Sequence, residues 1–331
     1  MKTSNRLAPI IIVALLLVSF TGQAANCKET LNYRLKWLFN TSVVGDLYAL
    51  DHGFFQRAGL TVNVKAGGPE RDAIRELELG HATFGVASAD QVIRARAKGA
   101  PVVVIAQLFQ VNPLQWIYRG VKPAINTPSD LKGRILGVTF GGNDETIMRT
   151  LMARAGLTEK DVTLFSVRYD YTPFYQDRVD VWPCYKNAQG IMLADKLGRA
   201  GEAVQFFNPA DHGITFVANS VVTSQKTLER NPQLVRAFAK ALVSGWEASL
   251  MPENRNKALA VLQKYNRDTP GDLRQKQLDA TRTLVLPGDG ARVGTIDVKG
   301  WKQTEAIMLE QGLIPKPVHV EKALFPEGNP L

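Results

Sequence analysis

The sequence predicts an α/β protein of two lobes, each an open, mostly parallel β-sheet flanked by helices. The chain has 331 residues, 45% of them hydrophobic, so it is long enough to bury two cores. Apolar runs of strand length alternate with helical patterns and short connections, which is typical of parallel sheets. A further unit of this kind begins mid-chain, at residues 131–151, and indicates a second lobe that faces the first across a cleft.

The first lobe is expected to begin with strands and helices in alternation. The predicted strands are 31–39, 61–65, 83–87 and 101–108, and the predicted helices are 45–57, 70–79 and a helix capped at 88–90 that runs to 98. Residues 114–119 read as another strand, and the glycine- and proline-containing stretch 120–128 as the passage to the second lobe.

The second lobe is expected to start with a strand at 135–138 that passes through Gly141 and Gly142 into a helix. Such a turn leaves backbone N–H groups at the carboxyl edge of a sheet, where they can hold a polar or anionic ligand; the simpler interpretation is an ordinary strand–turn–helix unit. Later strands are predicted at 162–167, 179–182 and 203–207, a return crossing at 214–223, and mostly helices thereafter. The expected division is a signal peptide at 1–24, lobe one at 25–120 and 220–331, and lobe two at 121–219.

The N-terminus has the order of a secretory signal peptide. Lys2 and Arg6 precede an uncharged apolar run at 10–20, followed by small residues up to Ala24, after which cleavage is predicted. The apolar run is short for a membrane span. Export is therefore expected, and the asparagine before Cys27 disfavours a lipid anchor on that cysteine.

Charge and composition exclude several functional classes. The net charge is +9, but the basic residues are scattered and form no stripe typical of nucleic-acid binding. The four histidines lie far apart without metal-ligand spacing, so neither a metal nor a cofactor is predicted. Sequence alone leaves open whether Cys27 and Cys184 form a disulfide.

Several segments resemble one family of exported proteins. The chain is similar to the periplasmic solute-binding proteins for nitrate, sulfonate, taurine and thiamine-pyrimidine precursors (the NMT1/THI5-like family) from about residue 31 to 265. The segments that carry the resemblance are LKWLFN, HGFFQRAGL, VNVKAGG, GHATFGVASADQVIRARAKGAPVVVIAQLFQ, DLKGRILGV and GITFVANSVVTSQKTLERNPQLVRAFAKALVSGW.

The resemblance implies a type II-like periplasmic-binding-protein clamshell. Such a protein captures a small molecule and passes it to an inner-membrane ABC permease, here expected as a monomer. The context of Trp37, the Gly67–Gly68 loop, residues 107–113 and residues 178–187 look most like the pyrimidine-precursor branch, which implies a planar heterocycle as ligand. That branch often has Tyr-x-Asn-Glu where this chain ends the same motif with Ala188.

Ligand contacts in a clamshell come from loops at the carboxyl ends of strands in both lobes. Trp37 and Tyr185 are the candidates for stacking on a planar ligand, worth roughly 1 kcal/mol each beyond burial. Trp37 fits a core position equally well, and Asp90 also fits a helix cap. The predicted ligand-binding residues are Trp37, Asn40, Gly67, Gly68, Ser88, Asp90, Gln110, Asn112, Gly142, Asn143, Tyr171, Tyr185 and Asn187.

Two alternatives remain open at this stage. An alkanesulfonate or nitrate could bind the N–H groups of Gly142 and Asn143 together with Arg119 or Arg178. A pyrimidine-synthase-like enzyme of the same fold is the other, although the chain has no Gly-x-Ser-x-Gly, His-Glu-x-x-His or phosphate-loop motif. Binding without catalysis is the prediction.

Overall fold

The computed structural model describes residues 30–68, 70–168 and 170–325, which form two lobes. Each lobe contains one five-stranded sheet with helices packed around it. The predicted α/β class and two-lobe architecture are therefore confirmed. The predicted signal peptide and Cys27 lie outside the described residues, so the expectations about them stay predictions.

The first lobe begins with the alternation that the sequence predicts. Its N-terminal elements are β1 (Thr30–Arg34), α1 (Val44–Asp51), α2 (Phe54–Arg57), β2 (Thr61–Lys65), α3 (Ala73–Glu78), β3 (Phe84–Ala87), α4 (Ala89–Ala97) and β4 (Val102–Gln107).

The second lobe is one continuous segment. Its elements are β5 (Leu114–Arg119), β6 (Ile135–Val138), α5 (Asn143–Arg154), β7 (Thr163–Ser166), α6 (Thr172–Tyr175), β8 (Val181–Tyr185), a π-helical turn (Lys186–Gly190), α7 (Ile191–Arg199) and β9 (Val204–Phe207).

The chain then returns to the first lobe and becomes mostly helical. Asn231 caps the longest of these helices through a bond to the N–H of Leu234, with a proline at the first helical position, as the sequence predicts. Phe238 of the same helix stacks on Phe84 with ring centroids 3.7 Å apart. The elements are β10 (Ser220–Ser224), α8 (Gln225–Arg230), α9 (Pro232–Leu250), α10 (Arg255–Tyr265), α11 (Gly271–Val285) and α12 (Val298–Glu310).

The two sheets share one topology. Their strand orders are β2-β1-β3-β10-β4 and β7-β6-β8-β5-β9. In each sheet the fourth strand runs antiparallel to both neighbours, while the other pairs are parallel. That strand is the first one after the chain has crossed between lobes, β5 on the way out and β10 on the way back. The crossings are therefore the segments 108–113 and 208–219.

This topology corrects the predicted boundary between the lobes. Residues 114–119 were expected to end lobe one, with the crossing at 120–128, but β5 pairs with β8 and β9 of the second sheet. Gly120 also donates its N–H to the carbonyl of Ala203, inside the second lobe (2.7 Å). Glycine and proline mark turns in the sequence, but they do not indicate which sheet the adjoining strand enters.

The first strand is shorter than predicted because the chain bends over the end of its own sheet. β1 ends at Arg34, and residues 36–40 form a bend whose Trp37 carbonyl accepts the N–H of Gly67 (2.9 Å). A Cβ atom on Gly67 would lie 2.0 Å from the carbonyl oxygen of Leu35, so only glycine permits this approach. The single helix predicted at 45–57 is likewise divided, at Gly53, which has φ +70°.

Strand β8 extends further than predicted and includes a proline. Its pairing with β6 is confined to Leu136 and Val181, whereas its pairing with β5 continues to Tyr185. Pro183 therefore lies beyond the ladder with β6, where its missing N–H leaves no strand bond unmade. The extension places Tyr185 at the carboxyl end of a central strand.

Candidate ligand-binding cleft

A cleft lies between the lobes, where the loops after β1, β2, β3, β6, β7 and β8 face one another. Its cavity volume is about 350 Å³, within the range of roughly 300–1,000 Å³ typical of small-molecule sites. Gly67 adjoins this cleft behind Trp37 without lining it. The predicted residues that line it are Trp37, Asn40, Gly68, Gly142, Asn143, Tyr171 and Tyr185.

Aromatic side chains line the cleft from both lobes. Trp37 is half-buried on the bend after β1, in the first lobe. In the second lobe Tyr171 lies against the buried Trp182, with ring centroids 5.7 Å apart, and Tyr185 ends β8. Because these rings come from opposite lobes, a planar molecule between them gains contacts from both when the lobes approach.

Phe140 also lines the cleft, and the sequence analysis missed it. It lies on the turn between β6 and α5 and is 53% exposed, so an apolar ring stands at the opening. The sequence feature that could have identified Phe140 is its position, directly before Gly141 and Gly142 at the carboxyl end of a predicted strand.

Lys36 connects the two lobes through hydrogen bonds, and it too was missed. Its Nζ donates to Oδ1 of Asn143 and to the hydroxyl of Tyr185, each at 3.0 Å. The Tyr185 hydroxyl donates in turn to Oδ1 of Asn219 (3.0 Å). The buried Nδ2 of Asn143 has no hydrogen-bond partner among the described residues. This wall of the cleft is therefore rich in donors.

The glycine turn uses several of its own N–H groups in internal hydrogen bonds. The N–H of Thr139 donates to Oδ2 of Asp144 (2.5 Å), that of Gly141 to Oε2 of Glu145 (2.7 Å), and that of Gly142 to the carbonyl of Thr139 (2.7 Å). Acidic side chains in the first turn of α5 thus take the place of an anionic ligand. Of the two N–H groups expected to bind an anion, that of Gly142 is therefore already bonded within the turn, and two carboxylates lie beside it.

Asp144 brings a titratable group to the cleft wall. Burial raises the pKa of its carboxyl group to about 6, while the hydrogen bond from Thr139 and the charge of Lys36 act in the opposite direction. The group is therefore mostly ionised at neutral pH and becomes protonated in mildly acidic solution.

The arginines expected to bind an anion lie elsewhere. Arg119 is buried in the second lobe, where it pairs with Glu202 and donates to the carbonyl of Tyr175 (2.7 Å). Arg178 is exposed and does not line the cleft. The cationic residues that line it are Lys36, Arg71 and Arg168.

Ser88 and Asp90 form the start of α4 and do not line the cleft. Ser88 and Gln91 make a reciprocal capping box, and the Ser88 hydroxyl donates to Oδ1 of Asp90 (2.6 Å). Both side chains are buried. The cap of α4 is therefore Ser88 rather than Asp90, which lies in the first turn, and Gln91 lines the cleft instead.

Gln110 and Asn112 lie on the crossing from lobe one to lobe two. Nε2 of Gln110 donates to the carbonyl of Thr295 (3.1 Å), and Nδ2 of Asn112 to the carbonyl of Phe216 on the return crossing (2.9 Å). Both line a second cavity of about 650 Å³ rather than the cleft. They follow a strand, as predicted, but the chain is already leaving the lobe at that point.

Asn187 belongs to a buried polar cluster between the lobes and does not line the cleft. Its Nδ2 donates to Oγ of Ser42 in lobe one (3.1 Å) and to Oγ1 of Thr281 on α11 (2.8 Å). Gln277 of α11 donates to the carbonyl of Ala188 (2.9 Å). The π-helical turn of lobe two is thereby bonded to lobe one and to the C-terminal segment.

Cys184 is a buried thiol on the cleft wall. Burial raises the pKa of this thiol well above its usual range, so it stays protonated and is a poor nucleophile. It forms no disulfide within the described residues, and its pairing with Cys27 stays open because Cys27 lies outside them. Within the described ranges no cluster of three or more His, Cys, Asp or Glu side chains could hold a metal ion.

The fold is that of periplasmic binding proteins. The periplasmic aliphatic sulphonate binding protein SsuA from Escherichia coli superposes with a TM-score of 0.69 at 18% identity, covering 90% of this chain and 92% of that one. In the described part of the chain, no helix is both long and apolar enough to span a bilayer.

Residues 40–255, roughly two thirds of the chain, match the profile of the NMT1/THI5-like family. The protein therefore belongs to that family.

Curated relatives cover most of the chain and differ in their named roles. The formylaminopyrimidine-binding protein of Halalkalibacterium halodurans is 24% identical over 97% of this chain and 98% of its own length. The riboflavin-binding protein RibY of Chloroflexus aurantiacus is 27% identical over 75% and 70%. The 4-amino-5-hydroxymethyl-2-methylpyrimidine phosphate synthase of Legionella pneumophila is 25% identical over 78% and 80%.

Proposed function

We propose that this protein is a solute-binding protein that captures a small planar heterocycle, such as a thiamine-pyrimidine precursor, in the cleft. The observation that carries the proposal is that both lobes present aromatic rings to one volume of about 350 Å³, Trp37 from one side and Tyr171 and Tyr185 from the other. Relatives named for binding a formylaminopyrimidine and riboflavin support a flat, nitrogen-rich ligand.

The protein would act in the periplasm, as a monomer, and deliver its ligand to an inner-membrane ABC permease. Contacts that need both lobes at once, such as those of Lys36 with Asn143 and Tyr185, favour the closed arrangement. A ligand with more contacts in that arrangement than in an open one shifts the population toward closure. The permease can then distinguish loaded from empty protein by shape.

The contacts of the glycine turn support a heterocycle over a sulfonate or nitrate. The N–H groups of Gly141 and Gly142 already have acceptors, and Asp144 and Glu145 place carboxylates at the same turn. A small anion at this turn would meet the negative charges of Asp144 and Glu145 and would have no free N–H group from Gly141 or Gly142. Arg119, one of the two arginines proposed to assist it, is engaged with Glu202.

Binding is favoured over catalysis by the chemistry of the cleft walls. The Cys184 thiol is held protonated by burial, and no histidine is among the described lining residues. The similarity to the Legionella synthase defines the catalytic alternative. A catalytic role would require a reactive side chain in the cleft, and Lys36 is the lysine that lines it. Recovery of the heterocycle unchanged by mass spectrometry, with no mass added to Lys36, would support binding.

A thermal-shift screen followed by calorimetry tests the proposal. The mature protein is screened against pyrimidines, flavins, sulfonates, nitrate and amino acids. A ligand at a hundred times its dissociation constant raises the unfolding free energy by about 2.7 kcal/mol, which a melting curve resolves. We expect shifts with planar heterocycles only.

Trp37→Ala should lower heterocycle affinity at least tenfold, because it removes one stacking surface. The neighbouring Leu38→Ala is the matched control, since Leu38 is 44% exposed and does not line the cleft. Stabilisation by sulfonates or nitrate alone would refute the aromatic site. Equal heterocycle affinities of Trp37→Ala and Leu38→Ala would refute it as well.

A further inference from the structure

Lys36 is a half-buried ammonium group without a direct counter-charge. Its two hydrogen bonds go to uncharged acceptors, Oδ1 of Asn143 and the hydroxyl of Tyr185. Among the described residues it forms no ion pair with any carboxylate, although the Tyr185 ring centroid lies 5.6 Å from Nζ. A cation removed from water gains most from an anionic partner, and such charge-assisted bonds are roughly twice as strong as neutral ones.

The carboxylates near Lys36 are already engaged by backbone donors. Asp144 attracts the ammonium at longer range, but its Oδ2 accepts the N–H of Thr139. Asp72, the other lining aspartate, accepts the N–H of Arg75 as the cap of α3. Neither forms an ion pair with Lys36.

Of the other two cations in the cleft, one forms an ion pair and one does not. Arg168 pairs with Glu70 across the opening (2.5 Å). Arg71, by contrast, is exposed at the cleft and its guanidinium group has no partner within the described residues. Lys36 also adjoins Asn143, whose buried Nδ2 lacks an acceptor. An acceptor group that carries negative charge would satisfy both side chains at once.

We propose that Lys36 determines the specificity of the cleft by selecting planar heterocycles with an anionic substituent, a carboxylate or a phosphate, over their uncharged analogues. This inference rests on the proposed heterocycle function and narrows its ligand class. The substituent accepts hydrogen bonds from Nζ of Lys36 and Nδ2 of Asn143, while the ring lies against the aromatic side chains. Arg71 adds a second, more exposed positive charge.

Matched ligand pairs provide the test. Pyrimidine-5-carboxylate and pyrimidine-5-carboxamide have the same shape and differ in charge; 4-amino-5-hydroxymethyl-2-methylpyrimidine and its phosphate extend the comparison to a phosphate. Calorimetric titration of the unmodified protein should show at least tenfold tighter binding of the charged member of one pair, with a preference that falls as salt is raised. A preference in the first pair identifies a carboxylate as the substituent, and a preference in the second pair identifies a phosphate.

Lys36→Met should bring the affinity ratio close to one, because it weakens binding of the charged member far more than binding of the uncharged one. Lys65→Met is the control, because it removes the same charge from β2, outside the cleft, and should keep the preference. If Lys36→Met does not fold, judged by its melting curve, Lys36→Gln replaces it.

Equal binding of charged and uncharged members by the unmodified protein would overturn this inference and leave the heterocycle site standing. A charge preference that survives in Lys36→Met would overturn the role of Lys36. If no member of either pair binds while another planar heterocycle raises the melting temperature, the inference fails and the proposed function stands; if no planar heterocycle binds, both fail.

Discussion

Asp46 is a carboxyl group whose surroundings favour its neutral form. It is buried in α1, where the Tyr33 hydroxyl donates to Oδ1 (2.6 Å) while Oδ2 has no partner among the described residues. Burial raises the pKa of this carboxyl group to about 7, and the bond from Tyr33 acts in the opposite direction. The ionised form of Asp46 therefore destabilises the folded protein relative to the protonated form.

The stability of the protein should fall as pH rises from about 4 to 7, because the folded pKa of Asp46 lies above its usual value. The protonated Asp46 carboxyl group contributes fully to the unfolding free energy below its pKa in the unfolded chain, and this contribution is lost as pH rises through its pKa in the folded protein. The contribution should be on the order of 2–4 kcal/mol. Asp46→Asn should remove most of the difference in unfolding free energy between pH 5 and pH 8, measured by urea denaturation. The exposed Asp268→Asn serves as control and should retain it; a pH dependence unchanged in Asp46→Asn would contradict the assignment.

The bend after β1 shows how one loop supports the cleft. Gly67 meets the backbone of Leu35 and Lys36 so closely that no side chain fits between them. Gly67→Ala should therefore displace the bend that carries Lys36 and Trp37, lowering both the melting temperature and ligand affinity.

Gly198→Ala in α7 is the comparison variant, since a Cβ there would meet nothing within 4 Å. It should leave binding intact and stabilise the protein by roughly 0.5–1 kcal/mol, because alanine favours helix over glycine. Normal ligand affinity in a folded Gly67→Ala protein would show that the bend does not position the site.

Local patterns predicted these elements better than they predicted their ends. The alternation of strands and helices, the cap at Asn231 and the apolar face of α9 follow from periodicity and capping, which neighbouring residues decide. The end of β1 depends on Gly67, more than thirty residues away. The occupied N–H groups of the glycine turn depend on side-chain conformations of Asp144 and Glu145, which sequence does not specify.

The same limit applies to the arrangement of the two lobes. Sequence predicted that strand ends from both lobes would meet, and the bend at Trp37 and the strand end at Tyr185 do so. The sequence-based prediction also placed Asn187 in the cleft, because that residue follows a predicted strand. The structure directs Asn187 toward Ser42 and Thr281, since β8 runs on into a π-helical turn that packs against α11.

Asn187→Ala should loosen the contact between the lobes without altering the cleft walls. It leaves the buried hydroxyls of Ser42 and Thr281 without their shared donor, so the unfolding free energy should fall by about 1–3 kcal/mol. Weaker ligand binding and a larger radius of gyration by solution scattering should accompany this loss. Asn126→Ala, an exposed asparagine of lobe two outside both crossings, is the control; an unchanged radius with normal affinity in Asn187→Ala would show that the cluster does not set lobe orientation.

The strand exchange between the sheets has a consequence for how the protein is made. Lobe two holds all of its strands in one segment, from β5 to β9, so its sheet can form as soon as that segment has left the ribosome. In lobe one, β10 lies between β3 and β4, which stay without their common neighbour until residue 224 has emerged. The later lobe in the chain is thus able to fold first, while the earlier one keeps two open strand edges, and such edges can pair with other chains.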